Sequence, residues 1–319
     1  MQLDRRTVLK MMAATAAGAI AQPRPADAQV KWSAGIEHPK LKAPAGTCDC
    51  HHYIYDLGSP IDRRGIPFPG DASIADYRAL QRRLGIARHV VVQPSTYGIE
   101  NQLALAALAA FGPEARGVLV LTDAVSDAEL WRMHAQGVRG IRFNFAPPGP
   151  TTAAMIEPLA RRVGDLGWHI EVNVWAAQLP QLLPILARLP SALVFDHLGH
   201  IPEPEGARHA NFAIIRRLVD NGRTWVKLAA PYDATKIGPP TYADSSALAR
   251  AYVELAPERV VWGTNWPHPG EDPKPDDALL LDLLLNWAPD ERLRHRILVE
   301  NPAVLYGFPE MRDNLVLRR

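Results

Sequence analysis

From residue 47 onward the chain alternates short apolar runs with stretches of helical periodicity, eight times over. Few architectures accept that rhythm. The candidate strands are Thr47–Ile54, Arg88–Ser95, Gly117–Asp123, Val138–Phe145, Trp168–Trp175, Ala192–His197, Thr224–Ala230 and Arg259–Thr264. Each is short, rich in branched or aromatic residues, and bounded by glycine or polar residues, as a buried strand should be. Between and after them lie helical segments at Ile74–Leu84, Gln102–Phe111, Glu129–Gln136, Ala153–Leu166, Leu179–Leu189, Ala210–Asp220, Ser245–Leu255 and Asp276–Asn286. Ser126 and Glu129 form a capping box at the start of the third. Asp276-Asp277 caps the last, whose Leu279–Leu285 run is a core-facing surface. Strand–helix units repeated this often, over roughly 290 residues, match a single (β/α)8 barrel of the TIM type. A doubly wound open sheet is the rival, but no Gly-rich phosphate loop follows any strand. With no internal repeat and no linker, residues 46–319 read as one domain behind an extended, Pro-containing lead-in at 29–45.

The first 28 residues read differently. Arg5-Arg6-Thr7-Val8-Leu9-Lys10 has the twin-arginine pattern, followed by an apolar run from Met11 to Ala21 and an Ala26-Asp27-Ala28 cleavage triplet. That run is too short to span a bilayer. The expectation is a cleavable signal at 1–28, export as a folded body through the twin-arginine machinery, and a periplasmic or secreted product with no stable membrane anchor. A net charge of +1 with 22% charged residues gives no basic excess for nucleic acid. Cys48 and Cys50, the only two cysteines, stand two apart on a strand with parallel side chains, which disfavours a bridge. Both read as buried thiols.

In such a barrel the active site lies where the strands end, and residues alternate between interior and helix layer. Applied strand by strand, the alternation gives an inner set. Asp49, His51 and Tyr53 share a face of the first strand, against Cys50, His52 and Ile54. The second strand offers Gln93 and Ser95, the fourth Arg142 and Asn144, and the fifth His169, Glu171, Asn173 and Trp175. His197 follows Phe195 on the sixth, Lys227 lies on the seventh, and the eighth ends at Asn265. Convergence of so many polar groups on one mouth points to an enzyme. His169 starts its strand and reads as structural. His268, in the loop after the eighth strand, is a further candidate contact.

Four motifs carry a family resemblance: Cys48-Asp49-Cys50-His51-His52-Tyr53-Ile54-Tyr55, Gly140-Ile141-Arg142-Phe143-Asn144-Phe145, Phe195-Asp196-His197-Leu198-Gly199 and Trp262-Gly263-Thr264-Asn265-Trp266-Pro267-His268. With Glu300-Asn301-Pro302, they make the chain resemble the amidohydrolase-2 branch of the amidohydrolase superfamily. Within it the chain is similar to the lactone-acting group that contains 2-pyrone-4,6-dicarboxylate lactonase and galactarolactone isomerase. The family's first strand usually carries H-x-H, two imidazoles for a divalent metal, and its last strand an aspartate that activates water. Here Tyr53 and Asn265 stand at those positions, and His52 points to the opposite face. Only His51 and His197 remain of four expected ligands, so the resemblance implies no metal cofactor unless Glu171 or Asp49 fills in. The galactarolactone isomerase branch is similar in having asparagine at the Asn265 position and a disrupted H-x-H. Arg142 and Ser95 match anion- and hydroxyl-binding positions. Asn173 and Asp233 replace a tyrosine and an arginine of the pyrone lactonase, against a flat aromatic dicarboxylate.

The resemblance therefore implies a carboxylated lactone of a small hydroxy acid as substrate, rearranged by intramolecular acyl transfer. His51 and His197 are the expected base and acid, and Asn265 holds the attacking or leaving hydroxyl. Arg142 would grip the carboxylate bidentately, Lys227 would be a second cationic contact, and Tyr53, Ser95, Asn144, Asn173 and His268 would bind the substrate. Arg142 and Lys227 have an alternative reading as an ion cluster with Glu171. Two other functions stay open: a lactonase that hydrolyses a carboxylated lactone, and an exported, non-catalytic sugar-acid binder.

Overall fold

The computed structural model describes residues 29–146 and 149–309, so the signal segment expected at 1–28 lies outside the described residues. The strands are β1 (Cys48–His52), β2 (Arg88–Val92), β3 (Ala115–Leu119), β4 (Val138–Asn144), β5 (His169–Asn173), β6 (Leu193–Phe195), β7 (Thr224–Leu228) and β8 (Val260–Trp262). They form one parallel eight-stranded sheet in sequence order, β1 to β8. The helices that cover it are α1 (Ile74–Leu84), α2 (Gln102–Phe111), α3 (Asp127–Ala135), α4 (Ile156–Gly164), α5 (Leu179–Leu186), α6 (Ala210–Val219) and α7 (Ala243–Leu255). Four short ones end the described chain: α8 (Asp277–Asp282), α9 (Leu284–Trp287), α10 (Glu291–His295) and α11 (Asn301–Tyr306).

Local chemistry explains the boundaries. Ser126 and Glu129 cap α3 reciprocally, and Ser73 and Asp76 do the same for α1, a box the sequence reading passed over. Asp276 caps α8, accepting from the Ala278 amide. The strands are shorter than their apolar runs: β2 stops at Val92 rather than Ser95, because Pro94 opens a turn at Ser95–Tyr97. The single helix expected over Asp276–Asn286 is two pieces, α8 and α9.

The strict alternation expected of β1 fails at one point. From Asp49 to His52 the strand advances three residues, while its partner advances only two, from His89 to Val91. The extra residue is a bulge, which re-aims side chains. Asp49, expected inside the barrel, instead reaches the helix layer, where it accepts from the Tyr77 hydroxyl of α1 at 2.9 Å. His51 and Tyr53 still face inward, and His52 stacks on Tyr77 outside, with ring centroids 3.5 Å apart.

That displaced carboxylate closes the barrel. Asp49 accepts from the Thr264 amide (2.9 Å), the Thr264 hydroxyl (2.7 Å) and the His51 amide (3.0 Å). Beside it, the Asn265 amide donates to the His51 carbonyl at 2.8 Å and the Tyr53 amide to the Trp266 carbonyl at 2.9 Å. Gly263 makes the approach possible, since a Cβ there would lie 2.8 Å from the His51 nitrogen. Burial pushes the Asp49 carboxyl up to about 6, against the donors that lower it. Its aliphatic replacement strands buried donors on two strands and a helix. Asp49→Ala should therefore lower unfolding stability by about 3 kcal/mol in urea titrations. A loss below about 1 kcal/mol would show that the seam holds without the carboxylate.

Candidate active site

The barrel interior is filled by charge rather than by hydrocarbon. Arg142 of β4, Glu171 of β5, Asp196 after β6 and Lys227 of β7 are all buried. The Lys227 ammonium lies 2.5 Å from Glu171 Oε2 and 3.4 Å from Asp196 Oδ1, and Arg142 Nε donates to Asp196 Oδ2 at 2.9 Å. Two cations thus balance two carboxylates, which is how buried charge is tolerated. Burial alone would raise the Asp196 carboxyl, but Lys227 and Arg142 hold it well below the usual carboxylate range.

This cluster is a floor, and His51 rests on it. Lys227 Nζ lies 3.1 Å from His51 Nδ1. The other ring nitrogen, Nε2, is 2.6 Å from the Tyr53 hydroxyl. Burial and the Lys227 charge lower the His51 imidazole to about 4, so it is neutral at physiological pH. Nδ1 also lies 3.3 Å from Asp196 Oδ1, so the neutral ring has two tautomers. With its hydrogen on Nδ1 it donates to Asp196 and Nε2 accepts from Tyr53; with Nδ1 accepting from lysine, the hydrogen is on Nε2 and is donated to Tyr53. In the second tautomer the Tyr53 hydroxyl hydrogen is free to point outward.

Above the floor lies a cavity of about 460 Å³ at the C-terminal ends of the strands. Its wall includes Tyr53, Ser95, Arg142, Asn173, His197 and Asn265, so six of the ten residues expected at the site come together there. The other four do not reach the wall. His51 is fully buried behind Tyr53. Lys227 is fully buried and spent on Glu171, which removes it as a cationic substrate contact. Asn144 is buried, and its oxygen accepts from Asn173 at 3.3 Å, so it supports a wall residue. His268 is fully buried between Tyr232 (2.8 Å) and Asp277 (3.1 Å), and therefore does not contact substrate from the mouth loop.

Arg142 needs a correction too. Its Nε is held by Asp196 and its Nη1 by the Gln93 carbonyl at 3.2 Å. Nη2, 3.4 Å from the Tyr53 hydroxyl, is the edge left toward the cavity. A two-pronged grip on a carboxylate is not available; a single donor beside Tyr53 is.

The sixth strand also departs from simple alternation. Glu171 pairs in register with Val194, which places Val194 and Asp196 on the inner face in place of Phe195 and His197. His197 reaches the mouth by another route. His197, Leu198, Gly199 and His200 all have positive φ, from 47° to 69°, a left-handed run that side chains other than glycine rarely adopt. It turns both imidazoles onto the cavity wall, 5.2 Å apart between ring centroids. His197 Nδ1 is buried with no hydrogen-bond partner. Burial and the adjacent His51 hold its ring well below the ordinary histidine pKa. His200 Nε2 donates to Asn173 Oδ1 at 2.7 Å.

The sequence reading missed His200, Glu271 and the Gly65–Pro67 loop, all on the wall, and met Asp233 only as a departure from the pyrone lactonase. Desolvation at the wall raises both the Asp233 and the Glu271 carboxyls, although Asp233 stays open to solvent on one side. Gly199 was the one local cue to the turn that brings His200 in.

His51, Asp196 and His197 offer ligand atoms within 4.8 Å of one another. They do not fit a divalent cation, because the ammonium of Lys227 already lies against both His51 and Asp196, and Arg142 against Asp196. Neither substitute ligand is free: Glu171 is paired with Lys227, and Asp49 faces outward. His197, His200 and Asp233 form a second such group, on the cavity wall itself.

The amidohydrolase family model (Amidohydro_2) matches residues 48–308. A 2-pyrone-4,6-dicarboxylate hydrolase of Comamonas testosteroni is 37% identical, over 88% of this chain and 95% of that protein. A D-galactarolactone isomerase of Agrobacterium fabrum is 33% identical, over 84% of this chain and 93% of that protein. A solved apo structure from Agrobacterium tumefaciens superposes with a TM-score of 0.81 at 32% identity, covering 88% of this chain and all of that one, 100%. With the family matched across the barrel, and with relatives of this likeness named as enzymes, the chain is an enzyme and belongs to the amidohydrolase family.

Proposed function

We propose that this enzyme acts on the lactone of a small, hydroxyl-rich acid and isomerises it by intramolecular acyl transfer without a metal. One observation carries the reading: the cavity wall brings together an amide, Asn265, delivered after β8, and the imidazole of His197, whose Nδ1 is buried without a hydrogen-bond partner. An amide can hold a hydroxyl but cannot take its proton. The relatives named as 2-pyrone-4,6-dicarboxylate hydrolase, 4-sulfomuconolactone hydrolase and D-galactarolactone isomerase share the lactone as substrate class.

In this mechanism a free hydroxyl of the substrate, held by Asn265, attacks the ring carbonyl. His197 receives its proton as the new C–O bond forms, then returns it to the ring oxygen as the old C–O bond breaks. One base suffices, because no proton is gained or lost overall. The Tyr53 hydroxyl and Arg142 Nη2 are the donors for the tetrahedral oxyanion. Ser95, Asn173, His200 and Asp233 bind the remaining hydroxyls. Holding the attacking oxygen against the carbonyl replaces a bimolecular step with a unimolecular one, the largest rate contribution such a site offers.

Hydrolysis is the second reading, favoured by Asp233 and Glu271, two carboxylates on the same wall that could serve a water. Purified protein with D-galactarolactone, followed by carbon NMR, separates the two. Interconversion of five- and six-membered rings, unaffected by a chelator, is expected; net release of free acid, or loss of turnover on chelation, contradicts the proposal. Asn265→Asp should raise hydrolysis relative to isomerisation about tenfold or more, since a carboxylate can take a proton from water. An unchanged product ratio would remove Asn265 from the branch point.

The pH dependence follows from His197. A base whose pKa is lowered on folding stays unprotonated until the pH falls through that lowered value. The kcat/KM profile should therefore be flat from about pH 5.5 to about 7.5, with no acid limb at the ordinary histidine pKa of about 6.5. A limb near 6.5 would assign the base to another group.

A further inference from the structure

Behind Asn265 lies a line of polar groups, half-buried at Tyr232 and buried beyond it, that the acyl-transfer steps do not use. Asp277 Oδ2 is 3.1 Å from His268 Nε2, His268 Nδ1 is 2.8 Å from the Tyr232 hydroxyl, and that hydroxyl is 2.9 Å from Asn265 Nδ2. His268 and Asp277 are fully buried. The direction of the line is set from its far end. A carboxylate can only accept, so His268 presents a hydrogen on Nε2 to Asp277. The lone pair of the ring then lies on Nδ1 and takes the hydroxyl hydrogen of Tyr232, the hydroxyl to which Asn265 Nδ2 donates. Burial and the adjacent Asp233 keep the Tyr232 phenol well above its ordinary pKa, so that hydrogen is in place. With its hydrogen committed to His268, the Tyr232 oxygen can only accept, and it selects the NH2 end of Asn265. The Asn265 oxygen is turned away, buried and without a partner, on a residue of the cavity wall.

We infer that Asp277, His268 and Tyr232 are a positioning relay that locks the Asn265 side-chain amide with its nitrogen on Tyr232, leaving its unpartnered oxygen as the acceptor for the substrate hydroxyl. A terminal amide has two orientations of the same shape, one showing the substrate an acceptor and the other two donors. Flipped, Asn265 would meet a hydroxyl's oxygen instead of its hydrogen and aim the wrong lone pair at the carbonyl. The relay removes that second orientation. The same line explains why His268, so close in sequence to Asn265, is buried rather than exposed to substrate: it acts through Tyr232.

The orientation itself is independent of the reaction, while its effect on rate rests on the acyl-transfer reading. The test has an arm for each. Protein labelled with 15N-asparagine gives a side-chain amide pair for Asn265, identified by its absence in Asn265→Asp. In the wild type its two hydrogens should exchange slowly and give separate signals. Tyr232→Phe should speed that exchange at least about tenfold with the fold intact. Asp277→Leu should do the same, while Asp277→Asn, which keeps an acceptor for His268, should retain most of the protection. If Tyr232→Phe leaves the exchange unchanged, or Asp277→Leu and Asp277→Asn behave alike, the relay is wrong. With D-galactarolactone, Tyr232→Phe should lower kcat about 10- to 100-fold with KM within about threefold. Added to Asn265→Ala it should cost nothing further, since the relay works only through that amide. A full additive loss in the double variant would overturn the assignment even where exchange had changed. If the wild type does not turn this lactone over, the exchange arm alone decides the relay, and the failure falls on the substrate reading.

Discussion

Everything at this site depends on how the first and last strands meet. A sheet of eight parallel strands has two edges until β1 and β8 join. Beside two backbone hydrogen bonds, the join is anchored by one carboxylate, Asp49, which gathers the Thr264 amide and hydroxyl, the His51 amide and the Tyr77 hydroxyl. Burying a carboxylate is costly, and burial does raise its pKa. What the chain gains is register. Thr264 is fixed against His51, so Asn265 emerges over the barrel at one place, within reach of the groups on β1. Gly263 is part of the same device, because a side chain there would push the strands apart.

The second constraint is charge balance in the barrel floor. Arg142, Lys227, Glu171 and Asp196 neutralise one another in a volume that ordinary barrels fill with branched apolar side chains. Their arrangement is the source of the site's chemistry one layer up. Lys227 and Asp196 both meet His51 at Nδ1, His51 holds the Tyr53 hydroxyl through Nε2, and Asp196 leaves Arg142 one outward edge. The ammonium of Lys227 also occupies the space beside His51 and Asp196 where positive charge is needed.

Much of this was legible before the structure. Eight apolar runs with helices between them fixed the architecture, and the inner faces of β4 and β5 were read correctly because those strands are regular. The failures have physical causes. In β1 a bulge moved Asp49 from the interior to the helix layer, and a bulge leaves no mark in an apolar pattern. After β6 a left-handed run of mostly non-glycine residues carried His197 and His200 to the mouth, where simple alternation had reserved the inner face for Phe195 and His197. Asp196, the residue that this shift brings inside, was seen as part of a motif but not as a partner of His51. Lys227 and His268 were placed near the site correctly and given the wrong job, since a sequence shows that a polar side chain points inward but not what already occupies its hydrogen bonds. Glu271 and the Gly65–Pro67 loop reach the wall from connections that no periodicity describes.

In the proposed reaction the acyl group passes between two oxygens of the same molecule, with Asn265 holding a hydroxyl rather than activating water. Turnover of D-galactarolactone in water enriched in oxygen-18, followed by mass spectrometry of lactone and acid, tests this directly. Acyl transfer within the substrate puts no solvent oxygen into the isomerised lactone. Attack by water puts one into the carboxyl group of the product. Isomerised lactone free of label supports the account, and a single labelled oxygen per turnover would contradict it.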